Sequence, residues 1–201
     1  LAPNKYILNE TFTRRYYMKK VFAIAALAAA TGLANAASVT VEFQNQEGHR
    51  NARDSENYAL SVKESINKTF AVDLGFTAYQ QSTTKALSNR LEAGVTGTFP
   101  VGPVNLYTRA AVGEKFTNGA DFEYYSVEPG VIYNFTDKLS AKVGYRFRNG
   151  FGNNGNLDTT HTARAGVSYA VTKQDTVGVR YDQTRGDSFN HSVNFAYTRS
   201  F

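Results

Sequence analysis

The sequence predicts an all-β chain: a transmembrane, antiparallel, up-and-down β-barrel of about ten strands, with eight and twelve as neighbouring possibilities. Three observations predict it. The stretch His191–Phe201 alternates, with Val193, Phe195 and Tyr197 on one side and Ser192, Asn194, Ala196 and Thr198 on the other. A bulky apolar face backed by a small polar one suits a wall with lipid outside and a lumen inside. Mean hydropathy is -0.40, and no run of roughly 18 apolar residues occurs, so helical spans are excluded. A barrel escapes that test because only alternate residues need be apolar. Finally, about ten alternating segments are joined by connections that are short and long in turn.

The first 36 residues are set aside before charge is considered. Met18-Lys19-Lys20 opens a short basic region, Val21–Leu33 is apolar and Ala-rich, and Ala34-Asn35-Ala36 supplies a small-x-small cleavage pattern. Residues 18–36 therefore read as a secretory signal peptide with a mature start at Ala37, and 1–17 as translated upstream sequence. The barrel occupies 37–201 as one domain. Removing the leader takes Lys5, Arg14, Arg15, Lys19, Lys20 and Glu10 from 22 basic and 17 acidic residues, which leaves 17 against 16, a net +1. The pI near 9.3 is thus mostly a leader effect, and a nucleic-acid partner loses its support. The lack of cysteine suits passage through an oxidising periplasm.

The alternating segments are Ser38–Gln44, Asn57–Lys63, Phe70–Tyr79, Arg90–Phe99, Val104–Lys115, Tyr124–Phe135, Leu139–Arg148, His161–Val171, Thr176–Arg185 and Phe189–Phe201. Tight turns are expected at 65–69, 100–103, 136–138 and 172–175, and longer polar loops at 45–56, 80–89, 116–122 and 149–160. The last connection, 186–188, is short. An even strand number returns both ends of the barrel to the tight-turn, periplasmic side. Sorted by parity, one face is apolar throughout, for example Val39, Val41 and Phe43, then Leu91, Ala93 and Val95, then Val177, Val179 and Tyr181. Phe70, Phe99, Tyr133, Phe135, Tyr169 and Phe201 fall near one border; Phe43, Tyr58, Phe76, Tyr125, Tyr145, Phe147 and Tyr181 fall near the other. Two such girdles match the interfacial preference of aromatic rings.

The opposite face alternates charge with small residues. Its basic members are Lys63, Arg90, Arg109, Lys115, Lys142, Arg146, Arg148, Arg164 and Arg180; its acidic members are Glu42, Asp73, Glu92, Glu128 and Asp182. Lys142, Arg146, Arg148, Arg164 and Arg180 lie on three consecutive strands and form a basic strip. Fixed positive charge in a confined channel favours anions, and arginine offers a two-pronged donor to carboxylates. The pore-lining candidates are Arg109, Lys142, Arg146, Arg148, Arg164, Arg180, Glu92, Glu128 and Asp182. The competing reading pairs these arginines with Glu92, Glu128 and Asp182 and fills the lumen, as barrel size favours at ten strands.

Catalytic readings are weaker. His49, His161 and His191 fall in or beside external loops, near Asp158 and Asp187, but no metal-spaced His/Glu motif, phosphate loop or nucleophile elbow occurs. The expectation is a non-enzyme without cofactor or metal.

The leader, the alternation and the terminal Phe201 resemble the small outer-membrane β-barrel families of Gram-negative bacteria. Val193, Phe195, Tyr197 and Phe201 resemble the C-terminal signal read by the barrel-assembly machinery, with Arg199 where that signal usually has an apolar residue. Val127-Glu128-Pro129-Gly130-Val131 followed by Leu139–Arg148 is loosely similar to the twelve-stranded oligogalacturonate-specific porins, which admit acidic oligosaccharides through an arginine-lined lumen. These resemblances imply a monomeric, porin-like barrel in the outer membrane, surrounded by lipid and lipopolysaccharide, passing small anionic solutes. The alternative is a closed structural or surface-interaction barrel acting through 45–56 and 149–160.

Overall fold

The computed structural model describes residues 37–49, 54–84, 86–116, 122–151 and 159–201. The expected leader and upstream segment, 1–36, lie outside the described residues. Ten strands follow one another: β1 (Ala37–His49), β2 (Ser55–Ser65), β3 (Phe70–Gln81), β4 (Leu87–Val101), β5 (Val104–Phe116), β6 (Phe122–Asn134), β7 (Leu139–Gly150), β8 (Thr160–Ala170), β9 (Asp175–Gly186) and β10 (Phe189–Ser200). Each pairs antiparallel with its chain neighbours, and β1 pairs with β10 to close the barrel.

The strands run further toward the long-loop end than alternation suggested. β1 continues to His49 and β2 begins at Ser55, so Gln46 opposes both Ser55 and Ser192 across a continuous ladder. The reason is physical. Alternation identifies a strand from its apolar face, and past the hydrocarbon border both faces are polar although the backbone hydrogen bonds continue.

The apolar face points outward and is left uncovered. Leu74, Val112 and Val143 are 54–59 % exposed in mid-strand. In water this belt would be a far larger patch than a soluble monomer tolerates; in a bilayer it is the surface required. Aromatic pairs mark its borders. Phe70 with Phe99 and Tyr133 with Phe135 lie at the tight-turn end, at centroid distances of 6.2 and 4.8 Å. Phe43 with Tyr58 (5.4 Å) and Tyr125 with Phe147 (6.1 Å) lie at the other.

Three of the four tight turns share one construction. In 66–69, 135–138 and 171–174 the second residue (Asn67, Thr136 or Thr172) accepts the backbone N–H groups two and three positions on through its side-chain oxygen. The first two backbone N–H groups of each turn donate to the carbonyl that follows it: Phe70, Leu139 or Asp175. The fourth turn has two residues, with Gly102 at φ 59° between Val101 and Pro103; a type II′ hairpin needs that left-handed backbone, which glycine adopts without strain.

Inside, long side chains lie across glycines of adjacent strands. Tyr107 opposes Gly130, which opposes Gly144, and a methyl group on either glycine would strike the Tyr107 side chain. Tyr124 covers Gly113 likewise, and Arg109 covers Gly94. Gly144→Val is expected to destabilise the barrel by about 1–3 kcal/mol through overpacking. Leu74→Arg is expected to cost about 2–4 kcal/mol by placing charge in hydrocarbon. Urea titration in lipid vesicles, followed by far-ultraviolet circular dichroism, measures both.

Candidate functional site: a charged lumen

Strand parity sends every predicted pore-lining residue inward, and the ladders decide which of them meet. Arg109 on β5 reaches Asp73 on β3, with Nε 3.0 Å from Oδ1, and Glu92 on β4, with Nη1 2.6 Å from Oε1. Glu92 also accepts the Tyr124 hydroxyl at 2.7 Å. A second network hangs on Glu128 of β6. It accepts the Tyr107 hydroxyl at 2.9 Å and Arg164 Nη1 of β8, and Lys142 Nζ of β7 lies 3.7 Å away. Lys142 sits 4.0 Å above the Tyr107 ring, a cation–π contact. Arg164 continues toward Asp182 at 3.7 Å, and Arg180 joins Asp182 at 2.8 Å to Glu42 on β1 at 3.0 Å.

These contacts form belts across the interior. Tyr124, Tyr107, Glu128 and Asp182 are all under 5 % exposed. A carboxylate so deeply placed is tolerable only when its lone pairs are met, and here each has charged or hydroxyl donors. Much of the predicted basic strip is therefore neutralised locally: Arg164 and Arg180 are paired, and Lys142 stands beside Glu128.

Sequence reasoning missed the two tyrosines. Tyr107 shares parity with Arg109, and Tyr124 with Glu128, so register places both rings in the lumen. The usable signal was parity. It was masked by the habit of assigning aromatics to the lipid face.

Toward the long-loop end the interior opens into a cavity of about 510 Å³ that brings together Arg146, Arg148, Arg164 and Arg180 of the strip with Arg90 and Lys115. Lys142 and Arg109 are not among its lining. A second cavity, about 450 Å³, lies at the tight-turn end under the β6–β7 connection, lined by Asn134, Ser140, Ser168, Ala170 and Thr176 among others. Arg90 donates to Thr77 at 3.2 Å and packs against the Tyr79 ring; Arg148 packs over the Tyr124 ring. Arg146 differs from all of these. It is 8 % exposed, and its Nε, like those of Arg148 and Arg164, has no hydrogen-bond partner; what sets it apart is the burial. Its charged neighbours are Arg164, Arg148 and Arg90, with two carboxylates nearby: Glu92, already held by Arg109 and Tyr124, and Glu128, already held by Arg164 and Tyr107.

The C-terminal residues take the places the alternation assigned. Val193, Phe195, Tyr197 and Phe201 are all exposed apolar side chains. The unexpected charge at Arg199 is met by Asp175, 2.9 Å from Nη1, and Tyr197 donates to the same carboxylate at 2.6 Å. The histidines lie on the outer surface rather than in the lumen. His191 stands between Glu47 (2.9 Å) and His49 (3.1 Å), and His161 meets the Tyr145 hydroxyl at 3.0 Å. Asp187 accepts the Thr159 backbone N–H instead of facing a histidine, and Asp158 lies outside the described residues.

No family model matches the chain, and no curated protein does. Among solved structures, an outer membrane channel from Pseudomonas putida F1 aligns with a TM-score of 0.53 at 10% identity, covering 84% of this chain and 96% of that one. The translocator domain of the autotransporter NalP from Neisseria meningitidis aligns at 0.46 and 9% identity, over 96% and 98% of the two chains. The N-terminal β-barrel domain of Pseudomonas aeruginosa OprF aligns at 0.45 and 10%, over 82% and 97%. At such identities the likeness is one of fold, and the fold is that of the outer-membrane β-barrels.

Glu128→Gln removes the negative charge shared by Arg164 and Lys142 and turns one acceptor oxygen into a donor, and is expected to cost about 3–5 kcal/mol as a broken buried ion network. Tyr107→Phe removes one hydroxyl and is expected to cost about 1–3 kcal/mol. Both are read from urea unfolding midpoints, and near-equal losses would contradict the ranking.

Proposed function

We propose that the chain is an outer-membrane protein of a Gram-negative bacterium that passes small, weakly anionic solutes along a narrow, porin-like lumen. The observation that carries this reading is the sign of the interior. Among the described residues, nine basic side chains (Lys63, Arg90, Arg109, Lys115, Lys142, Arg146, Arg148, Arg164 and Arg180) share the inward face with five acidic ones (Glu42, Asp73, Glu92, Glu128 and Asp182). Confined in a low-dielectric cylinder, that surplus raises the local concentration of anions. The bulk is uneven as well. Tyr107, Tyr124 and the Arg109 and Glu128 networks lie on β3–β8, whereas β10, β1 and β2 turn the smaller Ala196, Thr40 and Ser61 inward beside Glu42, which reaches Arg180.

In this reading the long-loop end faces outside, as in bacterial barrels generally. Lipid and lipopolysaccharide cover the apolar belt, and the barrel-assembly machinery reads Val193, Phe195, Tyr197 and Phe201. No catalytic role is assigned. A second reading, a closed barrel acting through its external loops, is favoured by one observation: the Glu128 and Glu92 networks lie between the two cavities.

Single-channel conductance in a planar bilayer under a salt gradient separates the readings. The expected outcome is a small stable conductance with an anion-favouring reversal potential, shifted toward cations by Arg146→Glu. A folded barrel that never conducts would transfer function to the loops. Unchanged selectivity in Arg146→Glu would detach the basic strip from permeation.

A further inference from the structure

The surplus charge of the long-loop cavity converges on one side chain. Six basic residues line it against two acidic ones, Glu42 and Asp182. Both carboxylates are already held by Arg180, and Asp182 also faces Arg164. Glu92 and Glu128, below the cavity, are satisfied by Arg109 and Tyr124 and by Arg164 and Tyr107. Arg146 is thus a cation more than nine-tenths buried, with an unsatisfied Nε, Glu92 and Glu128 nearby but each already held by other donors, and Arg90, Arg148 and Arg164 around it. A guanidinium does not relieve this by losing its proton, and an uncompensated buried ion is unfavourable. The arrangement is completed by an anion.

We propose that Arg146, flanked by Arg90, Arg148 and Arg164, forms a binding site for a compact tetrahedral oxyanion of the phosphate class, either inorganic phosphate or the phosphate group of a small ester. The proposal rests on the reading that the long-loop end admits solutes. Geometry selects the class. The donors come from β4, β7 and β8, so they approach from several directions. A planar carboxylate presents its lone pairs in one plane, whereas a tetrahedral dianion presents oxygens in several directions at once. A cavity of about 510 Å³ falls within the size of small-molecule sites, roughly 300–1,000 Å³, so an ester's organic part is accommodated beside the polar wall of Gln44, Asn57 and Thr162.

The test is isothermal titration of the full chain, purified from membranes in detergent, with inorganic phosphate, then glycerol phosphate, then acetate, at constant chloride. Saturable single-site binding of phosphate or its ester is expected, at least tenfold tighter than acetate. A preference between the first two identifies the physiological form. Arg146→Met is expected to weaken binding at least tenfold, Arg146→Lys severalfold, and Arg185→Gln, which replaces a cation outside the lumen, not at all. Folding of each variant is checked by its heat-dependent electrophoretic shift; if Arg146→Met does not fold, the lysine variant carries the comparison. Unchanged affinity in the Arg146 variants, acetate binding as tightly as phosphate, or no saturable binding would each overturn the site. Conductance without phosphate binding removes this site and leaves the solute path. Phosphate binding without conductance removes the path and leaves the site.

Discussion

Closure of the backbone hydrogen-bond ladder is the constraint on which the rest of this structure depends. In hydrocarbon an unpaired N–H or C=O costs several kcal/mol, and an open sheet has two edges full of them. The twelve-pair register from Ser38↔Ser200 to His49↔Phe189 removes both edges. Closure then forces parity: each side chain faces lipid or lumen, with no third choice. The ladder tolerates one lapse. β6 pairs with β5 through Glu128 and Pro129, but its pairing with β7 skips from Val127↔Phe147 to Gly130↔Gly144. Pro129 has no N–H to give, and the lapse falls beside Glu128, which anchors the second network.

Parity sends charge inward, and the small circumference of ten strands decides what that charge does. Side chains reach past an intervening strand: Glu42 on β1 meets Arg180 on β9 across β10, and Glu128 on β6 meets Arg164 on β8 across β7. Such crowding requires some positions to be nearly empty. Tyr107 lies over Gly130 and Gly144 for that reason, and its hydroxyl is thereby aimed at Glu128. Packing and electrostatics here are one arrangement: the glycines admit the ring, the ring donates to the carboxylate, and the carboxylate holds the arginine. The cavity above inherits what this leaves unpaired.

The outer surface was legible because its determinant is local. Val193, Phe195 and Tyr197 must be apolar whichever strand lies beside them, since lipid is their neighbour in every register. The turns were legible too, because Asn67, Thr136 and Thr172 bond to residues two and three positions away. Arg199 looked like an anomaly until the β9–β10 register set it opposite Asp175. Tyr107 and Tyr124 were illegible as network members, because their role lies in partners on other strands. The long polar ends of β1 and β2 are indistinguishable from loop by alternation, because nothing apolar marks a strand beyond the bilayer.

By itself the sequence determined the barrel class, a strand number near ten, the two faces and the set of inward charges, because a period of two is a property of consecutive residues. Only the tertiary structure decided which of those charges cancel. Pairing between Arg109 and Asp73, or between Arg180 and Glu42, depends on the register of two successive ladders, β3–β4–β5 and β1–β10–β9. No stretch of chain contains that information alone. The same closure buries Arg146 among other arginines with its Nε unpaired, which no local pattern in the chain announces.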